Sequence, residues 1–214
     1  MKTLVFDLGM VLVDFRWRAF LEDLGYDEQQ VDQLADAVFR NPLWLQFDWG
    51  IMGDENVLAQ MKLESPVYEK DMDRIWDNLQ YVCRPYDYSE ELLRTLHEKG
   101  YKIYFLSNYS KTIYERSRQD YTFFDYLDGG VFSYEVHQMK PNDDIFHTLL
   151  NKYDIDPANA VFFDDNRENC EAARAMGIDA VQVKGLESIL DGLKEYCQEE
   201  LTEIRTHFIL TERD

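Results

Sequence analysis

The sequence predicts an α/β chain: a parallel sheet flanked by helices, interrupted after its first strand by a helical insert. Three observations carry this expectation. Short apolar runs recur at Leu4–Phe6, Tyr101–Leu106, Gly129–Ser133, Ala160–Phe163 and Ala180–Val183, of the continuous kind that suits strands buried on both faces. Segments with helical spacing separate the later runs, and strands alternating with helices imply βαβ units with right-handed crossovers. Between residues 15 and 85 the apolar residues fall at helical spacing alone, so one domain is interrupted by another.

The first strand runs into Asp7 and Gly9. An acid ending such a strand sits in the crevice at the carboxyl edge of an open sheet, where these folds bind ligands. The plainer alternative is that Asp7 only starts a turn. Gly9 lets the backbone turn or approach a ligand with no Cβ in the way. In the insert, Phe20, Leu21, Leu24 and then Val31, Leu34, Ala35, Val38 keep the i, i+3, i+4, i+7 pattern, separated by Gly25–Asp27. Asn41-Pro42 and the turn Trp49–Gly53 mark further boundaries, and Val57, Leu58, Met61 and Met72, Ile75, Trp76, Leu79 complete a helical bundle with no strand signal. Asp14 reads as the N-cap of the first insert helix, with a reach back to the Asp7 loop as the alternative, and Asp54 as the N-cap of a later one.

After Arg84-Pro85 the period changes. Leu92, Leu93 and Leu96 form a helix closed by Gly100, a suitable C′ residue. Helical spacing resumes at Lys111, and Ile145, Phe146, Leu149 and Leu150 form a helix beyond Lys140-Pro141. The helix after Asp164-Asp165 carries Ala172, Ala173 and Ala175, and stops at Gly177. Ile189, Leu190, Leu193 and Tyr196 are the buried stripe of a last amphipathic helix. The expected organisation is a core of residues 1–14 and 86–197, a helical insert of residues 15–85, and a C-terminal helix or tail of residues 198–214.

The chain has 214 residues, with 22 Lys plus Arg against 42 Asp plus Glu, a formal net charge of -20. Such a surface repels phosphate backbones and anionic lipids, which argues against nucleic acid and membrane partners. A site that handles phosphate therefore needs local cations, and a divalent metal is the obvious supply. The three cysteines lack metal-type spacing, which argues against a disulfide framework or a zinc site; Cys170 reads as a small buried hydrophobe. No apolar run is long enough to span a bilayer and no leader is expected before the first strand, so a cytoplasmic location is expected. The sequence leaves the oligomeric state open.

Four strand ends carry polar residues that a parallel sheet would bring together: Asp7, Ser107-Asn108, Lys140 and Asp164-Asp165. A carboxylate, a hydroxyl, an ammonium and an acidic pair make a coherent phosphoryl-transfer set. Asp7 can attack phosphorus and form an aspartyl-phosphate. Asp7, Asp165 and the Gly9 carbonyl offer only oxygen ligands, which suits Mg²⁺. Lys140 balances charge and Ser107 donates to a phosphoryl oxygen, so catalysis is positioning plus electrostatics.

The segments Phe6-Asp7-Leu8-Gly9, Leu106-Ser107-Asn108, Lys140-Pro141 and Phe163-Asp164-Asp165-Asn166, taken in that order, resemble the four motifs of the haloacid dehalogenase superfamily. The insert between the first and second motifs resembles a C1-type helical cap. The resemblance implies a Rossmann-like core and a phosphatase of a small phosphate monoester. Its Asp-Leu-Gly opening is most similar to the branch that contains an α-glucose-1-phosphate phosphatase, so a sugar phosphate lies within the expectation. The implied roles are Asp7 as nucleophile, Ser107, Asn108 and Lys140 at the phosphate, and Mg²⁺ at Asp7, the Gly9 carbonyl and Asp165. Asp164 is implied as a further acidic ligand or as a group that orients metal-bound water, and Asn169 supports the metal loop from behind.

One departure matters. Most phosphatases of this superfamily carry a second Asp two residues after the nucleophile as general acid and base, and here that position is Gly9. Its loss predicts a slow or leaving-group-selective phosphatase, because such aid is worth about a hundred- to ten-thousand-fold. Two other readings stand beside it: a dehalogenase in which Asp7 attacks carbon, which needs an arginine-and-aromatic halide cradle, and a non-catalytic binding or regulatory protein. Arg16, Trp17, His137 and the aromatic group Trp44, Phe47, Trp49 around Asp48 are weighed as substrate contacts against roles in the surface or the bundle interior, and the latter roles are favoured.

Overall fold

The computed structural model describes residues 1–210. Its centre is a five-stranded sheet built from β1 (Thr3–Phe6), β4 (Lys102–Ser107), β5 (Gly129–Phe132), β6 (Ala160–Asp164) and β7 (Asp179–Gln182). β2 (Val13–Phe15) and β3 (Cys83–Pro85) form a separate antiparallel ribbon. In space the main sheet runs β5-β4-β1-β6-β7, and every pairing in it is parallel. The chain steps from β1 out to β5, then returns to β6 on the other side of β1. The strand order therefore reverses about β1, the kind of point at which open α/β sheets bind ligands.

Both faces of the sheet are buried, as the apolar strands require. Leu4, Phe6, Ile103, Phe105, Val161 and Phe163 pack on one face, and Val5, Tyr104, Leu106 and Phe162 on the other. The Phe6 and Phe163 rings stack with centroids 4.7 Å apart, which fixes the two strands whose ends carry Asp7 and Asp164. Gly130 faces the Phe105 ring so closely that any Cβ there would stand 2.2 Å from it.

The insert is helical: Trp17–Asp23, Glu28–Leu34, Leu43–Trp49, Asp54–Glu64 and Glu69–Asp77. Phe20, Val31, Leu34, Trp44, Phe47, Met61, Met72 and Ile75 fill its interior. Asp27 and Gln30 form a reciprocal capping box at the second helix, a local signal that starts it where the Gly25 break predicts. The ribbon of β2 and β3 straddles the positions expected to join insert and core. Asp14 is part of that ribbon, paired with Arg84, and the first helix begins at Trp17 with no side-chain cap. The N-cap expected of Asp14 is therefore not made, because sheet pairing holds its backbone instead. Asp54 is likewise not the N-cap: Gly53 takes that place, and the Asp54 carboxylate accepts the Thr112 hydroxyl from the core.

The C-terminal region forms helices at Leu186–Cys197 and Thr202–Arg205, followed by a π-helical turn at Thr206–Leu210. Of the tail expected over residues 198–214, residues 211–214 lie outside the described residues. Among the described residues no helix is long and apolar enough to cross a membrane.

Candidate active site

Register places the site. Phe6 lies beside both Phe105 and Phe163, so Asp7 emerges next to Asp164 and one step short of Ser107. The Asp7 amide donates to the Phe163 carbonyl at 2.8 Å, which continues the β1–β6 pairing up to the acid. Four segments distant in sequence thus deliver Asp7, Ser107, Lys140 and Asp164 to one rim.

Lys140 is the hub. Its ammonium lies 2.9 Å from Asp7 Oδ1, 2.6 Å from Asp164 Oδ2 and 2.8 Å from the Leu106 carbonyl. An ammonium has three N–H bonds; two are hydrogen-bonded, to Leu106 and Asp164, and Asp7 is held as an ion pair. Its positive charge lies between the two carboxylates. Asn108 holds the lysine loop in place: its side chain accepts the Lys140 N–H and donates to the Lys140 carbonyl, both at 3.0 Å. That leaves the Asn108 backbone N–H without a partner among the described residues.

Asp164 is fully buried and its carboxylate is saturated by Lys140, the Asn166 amide at 2.8 Å and the Asn169 side chain at 3.0 and 3.1 Å. It braces the site from behind. The half-buried Asp165 instead lines a cavity of about 170 Å³ together with Asp7, Gly9, Met10, Phe15, Trp44, Asp48, Cys83 and Asn108. Asp7, Asp164 and Asp165 can each place a carboxylate oxygen within 4.8 Å of the others. Three carboxylates against one ammonium leave an excess of negative charge in a poorly hydrated place. A hard divalent cation is the natural complement, and this all-oxygen donor set fits Mg²⁺. Asp7, Asp164 and Asp165 could hold it, and Gly9 lines the same cavity.

The electrostatics agree. Burial pushes the Asp7 carboxyl up to about 7 from 3.8, with the Asp164 charge adding to the rise and Lys140 opposing it. Burial and the Asp164 charge also raise Asp165. Burial works to lower Lys140, but the Asp164 and Asp7 charges outweigh it and hold the ammonium above the usual lysine range. The Asp7 contacts with the Leu8 N–H and Lys140 both fall on Oδ1, leaving Oδ2 available. Ser107 Oγ is near enough to Asp7 to favour its charge, yet it is buried and makes no hydrogen bond of good geometry. A buried hydroxyl without a partner is costly to keep.

Of the other residues weighed from the sequence, Trp44 lines the cavity, whereas Arg16, Trp17 and His137 lie elsewhere. Arg16 pairs with Asp23 at 2.6 Å, and Trp17 lies beside Phe39, flanked by Arg18 and Arg40. His137 turns its ring to the Trp49 carbonyl and is absent from the cavity wall. Asp48 is the residue whose part sequence reasoning missed. The insert carries it into the same cavity as Asp7. The available signal was an acid set between Phe47 and Trp49 on an otherwise apolar stretch.

Comparison with known proteins agrees with this geometry. The sesquiterpene phosphatase astK of Aspergillus oryzae is 25% identical over 184 residues, spanning 83% of this chain and 87% of its own. The D-ribitol-5-phosphate phosphatase of Bacteroides thetaiotaomicron is 22% identical over 192 residues, spanning 85% of this chain and 91% of its own. Among solved structures, a haloacid dehalogenase family enzyme of Bacteroides thetaiotaomicron, in complex with magnesium and inorganic phosphate, superposes with a TM-score of 0.68 at 25% identity. That superposition covers 86% of this chain and 94% of the other. Residues 1–177 match the family described as haloacid dehalogenase-like hydrolase. The superfamily resemblance and the Rossmann-like fold read from the four segments are both borne out, and the chain belongs to the haloacid dehalogenase-like hydrolases.

Proposed function

We propose that this protein is a Mg²⁺-dependent phosphatase that hydrolyses a small phosphate monoester through an aspartyl-phosphate on Asp7. The observation that carries the proposal is the convergence on one rim of Asp7, with a free Oδ2, and the unpartnered Ser107 hydroxyl. Asp7 Oδ2 attacks phosphorus while Lys140 holds Oδ1. Ser107 Oγ and the Asn108 backbone N–H receive phosphoryl oxygens. Water then releases phosphate and restores the carboxylate, dividing one hard hydrolysis into two easier steps. When bound, the ion neutralises charge between the anionic nucleophile and its anionic substrate.

Magnesium and phosphate in the Bacteroides thetaiotaomicron enzyme support this reading, as do the two relatives named as phosphatases. A halide cradle built on arginine is not present: no arginine lines the cavity among the described residues. Phosphate chemistry is therefore preferred to carbon–halogen chemistry. The small cavity favours a compact ester, and a sugar phosphate falls inside that class.

The test is turnover of nitrophenyl phosphate by the magnesium-loaded protein and by Asp7→Asn. Removing a nucleophile is expected to lower the rate by at least about 10⁴-fold. Acid quenching of the unaltered protein should leave one phosphoryl group on Asp7, located by peptide mass analysis. Undiminished turnover in Asp7→Asn would refute the proposal.

A further inference from the structure

Expulsion of an alkoxide from phosphorus needs a proton, and Gly9 has none to give. The wall of the cavity carries few groups that do. Asp7 is committed as the nucleophile, and Asp165 faces the proposed ion. Burial pushes the Cys83 thiol up to about 12, and the Tyr109 hydroxyl is tied to Tyr121 at 2.7 Å. Asp48 remains. We propose that Asp48, delivered by the insert, is the general acid and base of the reaction, a role that rests on the phosphatase reading above.

The placement of Asp48 is secured through its backbone. Its carbonyl accepts the Ser133 hydroxyl of the core at 2.5 Å. Two residues on, Gly50 ends the helix in the left-handed region with φ +69, seated against Tyr134, where any Cβ would stand 2.8 Å from the Tyr134 Cα. The helix Leu43–Trp49 is thus docked on the segment Ser133–Val136 that follows β5, and Asp48 lines the same cavity as Asp7.

The steps balance. Asp7 Oδ2 forms a bond to phosphorus as the bond from phosphorus to the leaving oxygen breaks. The Asp48 proton passes to that oxygen, which departs as an alcohol. Water then attacks the aspartyl-phosphate, its proton returns to the Asp48 carboxylate, and the P–O bond to Asp7 breaks to release phosphate. The surroundings suit a carboxyl that starts protonated: burial raises Asp48 well above the ordinary range, the Asp7 charge adds to this, and the Trp44 indole opposes it. Asp48 in turn acts on the Cys83 thiol.

The test compares Asp48→Asn with the unaltered, magnesium-loaded protein on two esters, nitrophenyl phosphate and a simple alkyl phosphate. The alkyl ester should lose about 10²–10⁴-fold in rate, whereas nitrophenyl phosphate, whose leaving group needs no proton, should lose less than about tenfold in its first step. The ratio of the two rates on one preparation does not depend on the fraction folded, so partial misfolding leaves the result readable. Acid-quenched Asp48→Asn should also accumulate phosphorylated Asp7 with nitrophenyl phosphate, because the base for the second step is gone. Asp48→Glu should recover part of the alkyl rate. An unchanged rate ratio without phosphoenzyme accumulation overturns the role of Asp48 and leaves the phosphatase reading standing. Failure of the unaltered protein to turn over either ester overturns both.

Discussion

Asp7 should destabilise the metal-free protein, and replacing it by Asn should therefore raise its melting temperature at pH 8. The carboxyl titrates near 7 in the fold against 3.8 when unperturbed. A group whose folded pKa is raised lends stability that is complete below 3.8 and lost as pH climbs through 7. The difference of about three pKa units, at about 1.36 kcal/mol each, bounds the loss near 4 kcal/mol above neutrality. Asn keeps the shape, removes the charge, and leaves Lys140 paired with Asp164 at 2.6 Å. At roughly 2–4 °C per kcal/mol for a chain of this size, Asp7→Asn should melt on the order of 10 °C above the unaltered protein at pH 8. The gap should narrow steadily as pH falls towards 5. Thermal melts followed by circular dichroism, with and without magnesium, read this directly. Magnesium should raise the unaltered protein more than the variant, because an ion that binds only the folded state stabilises it in proportion to its affinity. An Asp7→Asn protein that melts lower at pH 8, with no narrowing at acid pH, would refute the electrostatic account of the rim.

Two further substitutions probe the same frame. Lys140→Met leaves Asp7 and Asp164 buried without their counter-ion, so unfolding in urea should show a loss of about 3–5 kcal/mol, smaller at pH 5 where Asp7 takes up a proton. Gly50→Ala meets Tyr134 at 2.8 Å in a left-handed backbone, a conformation that costs a residue with a Cβ about 1–2 kcal/mol. It should raise hydrogen exchange in residues 43–50 and 133–136, and lower turnover of an alkyl phosphate while the melting of the core sheet stays close to that of the unaltered protein.

The main sheet was legible because its strands are buried on both faces, so each appears as an unbroken apolar run. Leu4–Phe6 and Ala160–Phe163 gave themselves away without any need for alternation. The ribbon of Val13–Phe15 and Cys83–Pro85 was not legible. Three residues are too few for a period to emerge, and its pairing joins positions about seventy residues apart. The same ribbon explains the misplaced cap at Asp14, since a turn-prone acid and a strand acid look alike until the partner strand is known. Asp54 shows a related ambiguity. Its residue type announces a helix start correctly to within one position, while its side chain turns away from that helix towards Thr112 of the core.

The site divides along the same line. Asp7, Ser107, Lys140 and Asp164-Asp165 were readable because a parallel sheet sends all its carboxyl ends to one edge, so topology alone makes them neighbours. Which of the twin acids faces outward was not readable. That depends on strand-end geometry, which turns Asp164 into the hands of Lys140 and Asn169 and leaves Asp165 at the cavity. Nor could sequence order place Asp48, because an insert docks by its surface rather than by its connectivity. In the proposed mechanism, the vacancy left by Gly9 and the acid carried by Leu43–Trp49 are two halves of one arrangement: the core would supply nucleophile and charge balance, and the insert the proton. Catalysis divided in this way would require the insert to be seated for cleavage of an unactivated ester, whereas phosphorylation of Asp7 by an activated ester would not. The dependence of rate on leaving group then reports directly on the contact between Asp48 and Ser133.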